Sequence, residues 1–341
     1  MCNEIRQRHN FFGESAPPLR SIYLGGGTPS ILPEAELAQL FEAVYATFSV
    51  DSDAEITLEA NPDDLSPEKT QFLATQTPVN RLSVGVQSFQ DEVLRWMNRA
   101  HDSHEAHRVL EGLAQRDFAL NLDLIYALPE PYDRFWRSDA ETMLGFTPEH
   151  ISAYTLTIEE KTAFGHWAKK DRLRPLDDEK AAAQFLELSD RLTAAGYEQY
   201  EISNFARNQH YARHNTAYWL GEPYLGIGPG AHFFKDDTRW ANPANNHRYV
   251  QAIRQGKLPA LTETLSRTDQ INEFMLTRLR TKWGADLQTL RDRYQFEAKA
   301  VFGEAIQDFQ ERGWLEQHGE TLRLTRSGRL MADEIAAAFF L

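Results

Sequence analysis

Residues 21–30, SIYLGGGTPS, decide the fold: an apolar run from Ser21 to Leu24 opens into Gly25, Gly26 and Gly27 and closes on Thr28, Pro29 and Ser30. The segment that follows, PEAELAQLFEAVYATF from Pro33, sets Leu37, Leu40, Phe41, Val44, Tyr45 and Phe48 on one helical face, with Pro33 and Glu34 suited to the first turn. The chain therefore reads strand, glycine turn, helix. Glycines at such a junction let backbone amides approach a ligand closely, and the helix start beyond them favours an anion. The stretch lacks the GKS or GKT ending of a phosphate-binding loop and the spacing of a dinucleotide fingerprint. Taken alone, it fits a ligand cradle and a tight connection equally.

Working outward, apolar runs recur as EITLEA (55–60), RLSVGVQ (81–87), LNLDLIYAL (120–128) and ISAYTLTI (151–158). Between them lie helical patterns, one opened by Ser66 and Pro67 and another spelled DSHEAHRVLEGLAQRDF. This alternation predicts an α/β fold, a parallel sheet with helices outside it, and the uneven spacing argues against a solenoid. Strands buried on both faces should be almost continuously apolar, so their polar residues need a reason. Glu59 closes EITLEA, Gln87 closes RLSVGVQ and Asp123 sits late in LNLDLI. All three fall near the carboxyl edge of the strands, where α/β barrels and open sheets build their sites. Arg99, in WMNRAH, can reach that edge and offer its guanidinium fork to a carboxylate. Singly, each also reads as a paired structural group or a surface ion pair.

Composition narrows the class. The chain has 341 residues, 42% hydrophobic and 25% charged, as in ordinary globular proteins, which disfavours disorder and fibrous folds. With 36 basic against 50 acidic residues the formal charge is -14, which repels nucleic acid and anionic lipid alike. No stretch is apolar enough to span a membrane, and MCNEIRQRHNFFGES lacks the core of a signal peptide, so a cytoplasmic location is expected. The single cysteine, Cys2, excludes an internal disulfide, a thiolate zinc cage and an iron–sulfur cluster held wholly by this chain's cysteines.

Further along, a proline-containing region from Arg172 to Asp178 leads into DEKAAAQFLELSDRLTAAG, with Gly196 as C-cap, and then into YEQYEISNFA, read as one further strand. From Tyr211 to Tyr249 the chain is rich in Gly, Asn, His and aromatics with little periodicity, and reads as structured loops. Beyond Ser266, helices, a hairpin LEQHGETLRLTR and a last helix SGRLMADEIAAAFF form a winged-helix-like pattern. Residues 267–341 hold 11 basic and 12 acidic residues, without the clustered cations a phosphate backbone needs, so docking onto the barrel is expected rather than DNA binding.

YLGGGTPS, LEANPDDL, NRLSVGVQSF, WMNRAH and NLDLIYALP, in this order, closely resemble the radical S-adenosylmethionine family that contains oxygen-independent coproporphyrinogen III oxidases and the related HemW-type haem chaperones. The resemblance runs from near the start to the C-terminus. It implies an incomplete (β/α) barrel with a C-terminal helical cover: residues 1–205 the partial barrel, 206–265 a loop-rich haem-associated region, and 266–341 the winged-helix-like domain. It further implies that Gly26, Gly27 and Thr28 contact the amino group and methionine part of S-adenosyl-L-methionine. Glu59, Gln87, Arg99 and Asp123 match positions around the same cofactor, with Arg99 suited to its carboxylate.

RHNTAYW contains HNxxYW at His214, Asn215, Tyr218 and Trp219, which resembles the signature of the haem-chaperone branch. An imidazole can ligate haem iron, and Tyr and Trp can pack on a porphyrin face. The resemblance thus points to His214 as iron ligand, with His210 and His232 as nearby alternatives. Without the resemblance, the residues alone favour a motif in which His214 and Asn215 tie down a glycine-rich loop. Haem and a haem-acceptor protein are the implied partners, and an oxidase that decarboxylates porphyrinogen propionates through a 5′-deoxyadenosyl radical is the alternative activity.

The family carries, before its GGGTP, a strand resembling YIHIPFC and a CxxxCxxC loop whose three thiolates hold a [4Fe-4S] cluster. Here Gly25 stands 24 residues after Met1 and Cys2 is alone. The expectation is an N-terminally truncated member, first strand missing, that cannot by itself hold the cluster or cleave S-adenosylmethionine reductively. Its SIYL strand should then be an exposed edge prone to homo-oligomeric association. LIYALPEPY also departs from the family, which commonly has a glycine before LP.

Overall fold

A computed structural model describes residues 1–159, 161–170 and 173–341, so Arg172, the start of the proline-containing region, lies outside the described residues. After a short helix α1 (Cys2–Gln7), the expected alternation follows: β1 (Leu19–Leu24), α2 (Glu34–Thr47), β2 (Val50–Ala60), α3 (Pro67–Gln76), β3 (Arg81–Gln87), α4 (Asp91–Trp96), α5 (Ser103–Leu113), β4 (Ala119–Tyr126), α6 (Trp136–Gly145) and β5 (His150–Thr155). Ser66 caps α3 by accepting from Lys69 N, with Pro67 in the first turn, as its sequence predicts. Then come α7 (Ala163–Ala168), α8 (Asp178–Ala194), and β6 (Glu198–Gln199) and β7 (Asn204–Ala206).

These seven strands form one curled half-barrel sheet in the order β1-β2-β3-β4-β5-β7-β6, the first five parallel. Its convex face is apolar: Ile56, Leu58, Leu82, Val84, Leu122 and Ile151 are buried against helix residues such as Leu37, Phe41, Leu73, Leu110 and Trp136. The concave face is polar along its whole height. Register sets Thr57 beside Arg81, Glu59 beside Ser83, Ser83 beside Asn121, Asn121 beside His150, and Asp123 beside Ser152. Sequence alone predicts polar residues only at the strand ends. The difference is physical: helices cover one face of a half-barrel, so the strands alternate in and out rather than being apolar throughout.

YEQYEISNFA is two short strands rather than one. The Glu201 carboxylate accepts from Ser203 N and the Asn204 side chain and turns the chain, so that β7 runs antiparallel to both β5 and β6. The segment read as loops is also structured: α9 (Arg213–Trp219), a hairpin of β8 (His232–Lys235) and β9 (Thr238–Ala241), and α10 (Asn246–Arg254). These elements are too short to leave a period in the sequence. β9 also pairs with β10 (Leu261–Thr264). The hairpin stacks Phe233 on Trp240 at 5.4 Å, with the Phe11 ring edge-on to both.

The fully buried Glu4 of α1 ties the chain start to this region, accepting from Gly228 N, Asn242 Nδ2, Tyr249 OH and Arg8 Nε at 2.6–3.0 Å. The C-terminal part has its own core, centred on Ile271, Met275, Leu290, Phe302, Leu322 and Phe339. It is built from α11 (Arg267–Leu279), β11 (Ala285–Asp286), α12 (Leu287–Tyr294), α13 (Ala298–Glu311), β12 (Leu315–His318), β13 (Thr321–Leu324) and α14 (Ala332–Ala337). Lys282 pairs with Glu198, and Arg329 donates to Gln199 Oε1 at 2.5 Å, docking this part onto the end of the sheet.

Candidate functional site

The glycine turn hangs off the carboxyl end of β1, where the concave face opens. Gly26 takes φ +77°, a backbone most side chains resist, and a Cβ at Gly25 would come 2.4 Å from the Tyr23 ring and 2.7 Å from the Glu59 carboxyl carbon. Gly27, by contrast, faces open space. Glu59, from the end of β2, accepts from Tyr23 OH at 2.6 Å and from Gly26 N at 3.2 Å, and so shapes the turn.

A cavity of about 200 Å³ opens here, lined by Gly27, Thr28, Glu59, Asn61, Ser83, Gly85, Gln87 and Asp123. Five of the seven residues singled out for the cofactor thus line one cavity (Gly27, Thr28, Glu59, Gln87 and Asp123), and Gly26 stands beside them. Gln87 holds φ +67°, outside the strand conformation, where β3 ends. Arg99 is set back from the lining: its Nη2 donates to Asn61 Oδ1 at 2.6 Å and to Gly85 O at 3.2 Å, and among the described residues it has no carboxylate partner. Asn121 donates to Asp123 at 2.8 Å, yet burial, with Glu59 nearby, pushes the Asp123 carboxyl up to about 7. Burial and the neighbouring Glu59 likewise push the Tyr23 hydroxyl far up, so it remains a hydrogen-bond donor at neutral pH.

HNxxYW lies on α9, against β1. His214 stacks on Tyr23 with centroids 4.9 Å apart and planes 15° from parallel. Its Nδ1 meets Ser21 Oγ and its Nε2 meets Tyr218 OH, both at 3.0 Å. Burial lowers its pKa to about 4, so the ring is neutral at physiological pH. Asn215 reaches Tyr200 OH at 3.4 Å, and Trp219 Nε1 is buried without a hydrogen-bond partner among the described residues, as is Thr216 Oγ1. Orphaned donors cost free energy and are rare unless something else meets them. His210 and His232 are both exposed and do not join this cluster. Sequence reasoning missed Tyr23, Asn61, Ser83 and Gly85; the period-two spacing of Asn61 from Glu59, and of Ser83 and Gly85 from Gln87, is the signal that could have placed three of them on one face.

The donor set suits an amino-acid-like ligand with a polar tail: an acidic pair for a cation, open glycine backbone for a carboxylate or amine, and amide and hydroxyl groups for a ribose. It does not suit an iron–sulfur cluster. The chain has one cysteine, half-buried Cys2, whose thiol faces Gln39 O at 3.7 Å, and among the described residues no three His, Cys, Asp or Glu side chains gather as a metal site. His214 offers a neutral imidazole, a type of side chain that can ligate haem iron, and its Nε2 is here engaged by Tyr218 OH.

Residues 3–140 match the radical SAM superfamily model and residues 265–331 the HemN C-terminal domain. The chain is 33% identical to the heme chaperone HemW of Bacillus subtilis over 95% of its own length and 86% of the relative's. It is 36% identical to HemW of Mycobacterium tuberculosis over 94% and 80%, and 33% to that of Escherichia coli over 94% and 84%. Among solved structures, coproporphyrinogen III oxidase HemN from Escherichia coli superposes with a TM-score of 0.82 at 22% identity, covering 99% of this chain and 81% of that one. At that identity the likeness is one of fold.

Proposed function

The chain belongs to the HemW heme-chaperone family of the radical SAM superfamily, and we propose that it binds haem through α9 and passes it to an acceptor protein in the cytoplasm. The observation that carries this reading is the placement of HNxxYW: a neutral imidazole, His214, held between Tyr23 and Tyr218. We assign Gly26, Gly27, Thr28, Glu59, Gln87 and Asp123 to S-adenosyl-L-methionine, with Arg99 serving its carboxylate once released from Asn61. When bound, that cofactor supplies a sulfonium and an amino acid moiety. Glu59 and Asp123 offer carboxyl oxygens to them, and Gly27 offers backbone without a side chain in the way. On this reading residues 1–205 carry the cofactor, 206–265 face haem, and 266–341 cover the assembly. The cysteine count leaves this chain without the three thiolates a [4Fe-4S] cluster needs. The oxidase alternative has in its favour the fold likeness to HemN and the match of residues 265–331 to the HemN C-terminal domain. Equilibrium titration with haemin tests the proposal: a saturable one-to-one Soret band supports it, and a band that grows linearly without saturation contradicts it.

A further inference from the structure

Glu55 stands on the concave face of β2, one inward position below Thr57 and two below Glu59, and does not line the cavity. Its carboxylate faces the first turn of α9: Oε2 accepts from Arg213 N at 3.0 Å and Oε1 from His214 N at 3.1 Å. A helix start normally takes such bonds from its own N-cap side chain. The N-cap here is Ala212, which has none to give. The caps of α9 therefore come from a strand far away in sequence. The Glu55 side chain is only 10% exposed, and Arg81 Nη1, 4.0 Å away and also buried, keeps the carboxylate charge balanced.

Arg278 Nη2 holds the far end of α9 by donating to Leu220 O at 2.7 Å. Arg213 bonds Asp53, but both side chains are more than half exposed, and such pairs contribute little. The Asn215 bond to Tyr200 is long at 3.4 Å, and Thr216 and Trp219 leave polar atoms unpartnered. Rotation of α9 about its axis would carry the His214 ring off Tyr23 and away from Ser21. Among the described residues, it is the doubly bonded, buried Glu55 carboxylate that opposes that rotation from beneath the backbone of His214 itself.

We propose that Glu55 is the positioning residue for His214: its carboxylate clamps the first two amides of α9 and so sets the imidazole on Tyr23 with Nε2 turned toward Tyr218. The assignment of His214 to iron rests on the haem reading above; the clamp itself does not. Three variants and two readouts separate them. In Glu55→Ala, amide hydrogen exchange of a peptide spanning 213–219 rises about tenfold, while exchange in 271–279 is unchanged. The haemin absorption spectrum moves toward that of His214→Ala, with affinity down by about tenfold. Glu55→Gln, of equal length but with one acceptor, falls between wild type and Ala, and it carries both readouts if the Ala variant does not fold. Unchanged exchange over 213–219 overturns the clamp. A wild-type spectrum in Glu55→Ala, alongside a shifted one in His214→Ala, overturns its role toward His214. If His214→Ala itself keeps the wild-type spectrum while exchange rises in Glu55→Ala, the clamp stands and the haem ligand assignment fails.

Discussion

The ring of His214 lies on the ring of Tyr23, 4.9 Å between centroids, and the Tyr23 hydroxyl donates to Glu59, which in turn holds Gly26 N. One residue of β1 therefore touches both the glycine turn and the HNxxYW helix. Offset aromatic stacks contribute about 0.5–1.5 kcal/mol beyond burial. Tyr23→Ala should weaken haem binding by roughly three- to tenfold, whereas Tyr23→Phe, which keeps the ring and removes only the hydroxyl, should bind haem as wild type does. Equal losses in both variants, measured by haemin titration, would mean that the stack is not what supports His214.

Two glycines two residues apart separate folding from ligand binding. Gly25→Ala drives a methyl into Tyr23 and Glu59 and should cost about 1–3 kcal/mol in denaturant unfolding. Gly27→Ala meets nothing, so its unfolding midpoint should match wild type while its calorimetric affinity for S-adenosylmethionine drops. Undiminished affinity in Gly27→Ala would place the ligand elsewhere.

Asp123 makes stability depend on pH in a direction opposite to most carboxylates. Its folded pKa, about 7, lies above the ordinary aspartate value, so the native state binds the proton more tightly than the unfolded chain. Stability is therefore full below about pH 4 as far as this group goes, and it declines as pH rises through about 7. Asp123→Asn should remove that decline and be more stable than wild type at pH 8, by about 2–4 kcal/mol. Parallel pH–stability curves for the two proteins would refute the assignment.

His214 and His150 shift the other way. Burial lowers both, His214 to about 4, so the native state prefers the neutral rings and loses stability as pH falls from about 6.5 toward 4. Because the His214 ring is already neutral, the haem-bound spectrum should stay constant between about pH 5.5 and 8. A spectral transition within that range would contradict ligation by the already neutral His214 ring.

Glu4 anchors α1 beneath the 226–249 region through three hydrogen bonds and accepts a fourth, local one from the buried Arg8. Glu4→Ala leaves that guanidinium without its carboxylate and should cost about 3–5 kcal/mol in unfolding measurements. A loss below about 1 kcal/mol would mean that water reaches Arg8.

The half-barrel was legible because its signals are local. SIYLGGGTPS, the Ser66–Pro67 start and the apolar strands each fit one element, and the helices that cover the convex face repeat every 3.6 residues. α9 was not legible. Seven residues carry no period, and the carboxylate that caps it, Glu55, lies 159 positions away from His214. Glu201 likewise turns YEQYEISNFA through side-chain bonds that no propensity encodes. The site residues Glu59, Gln87 and Asp123 stood out as polar interruptions at strand ends. Tyr23 and Ser83 did not, because a tyrosine or serine in a strand is unremarkable until the sheet curls and turns one face inward.

The central claim, that haem is ligated by α9, is tested most directly by comparing ferric haem spectra of wild type and His214→Ala at equal saturation. Wild type should show the spectrum of a nitrogen-ligated iron, and the variant should lose it and recover it on addition of free imidazole. Superimposable spectra and affinities in the two proteins would contradict the claim.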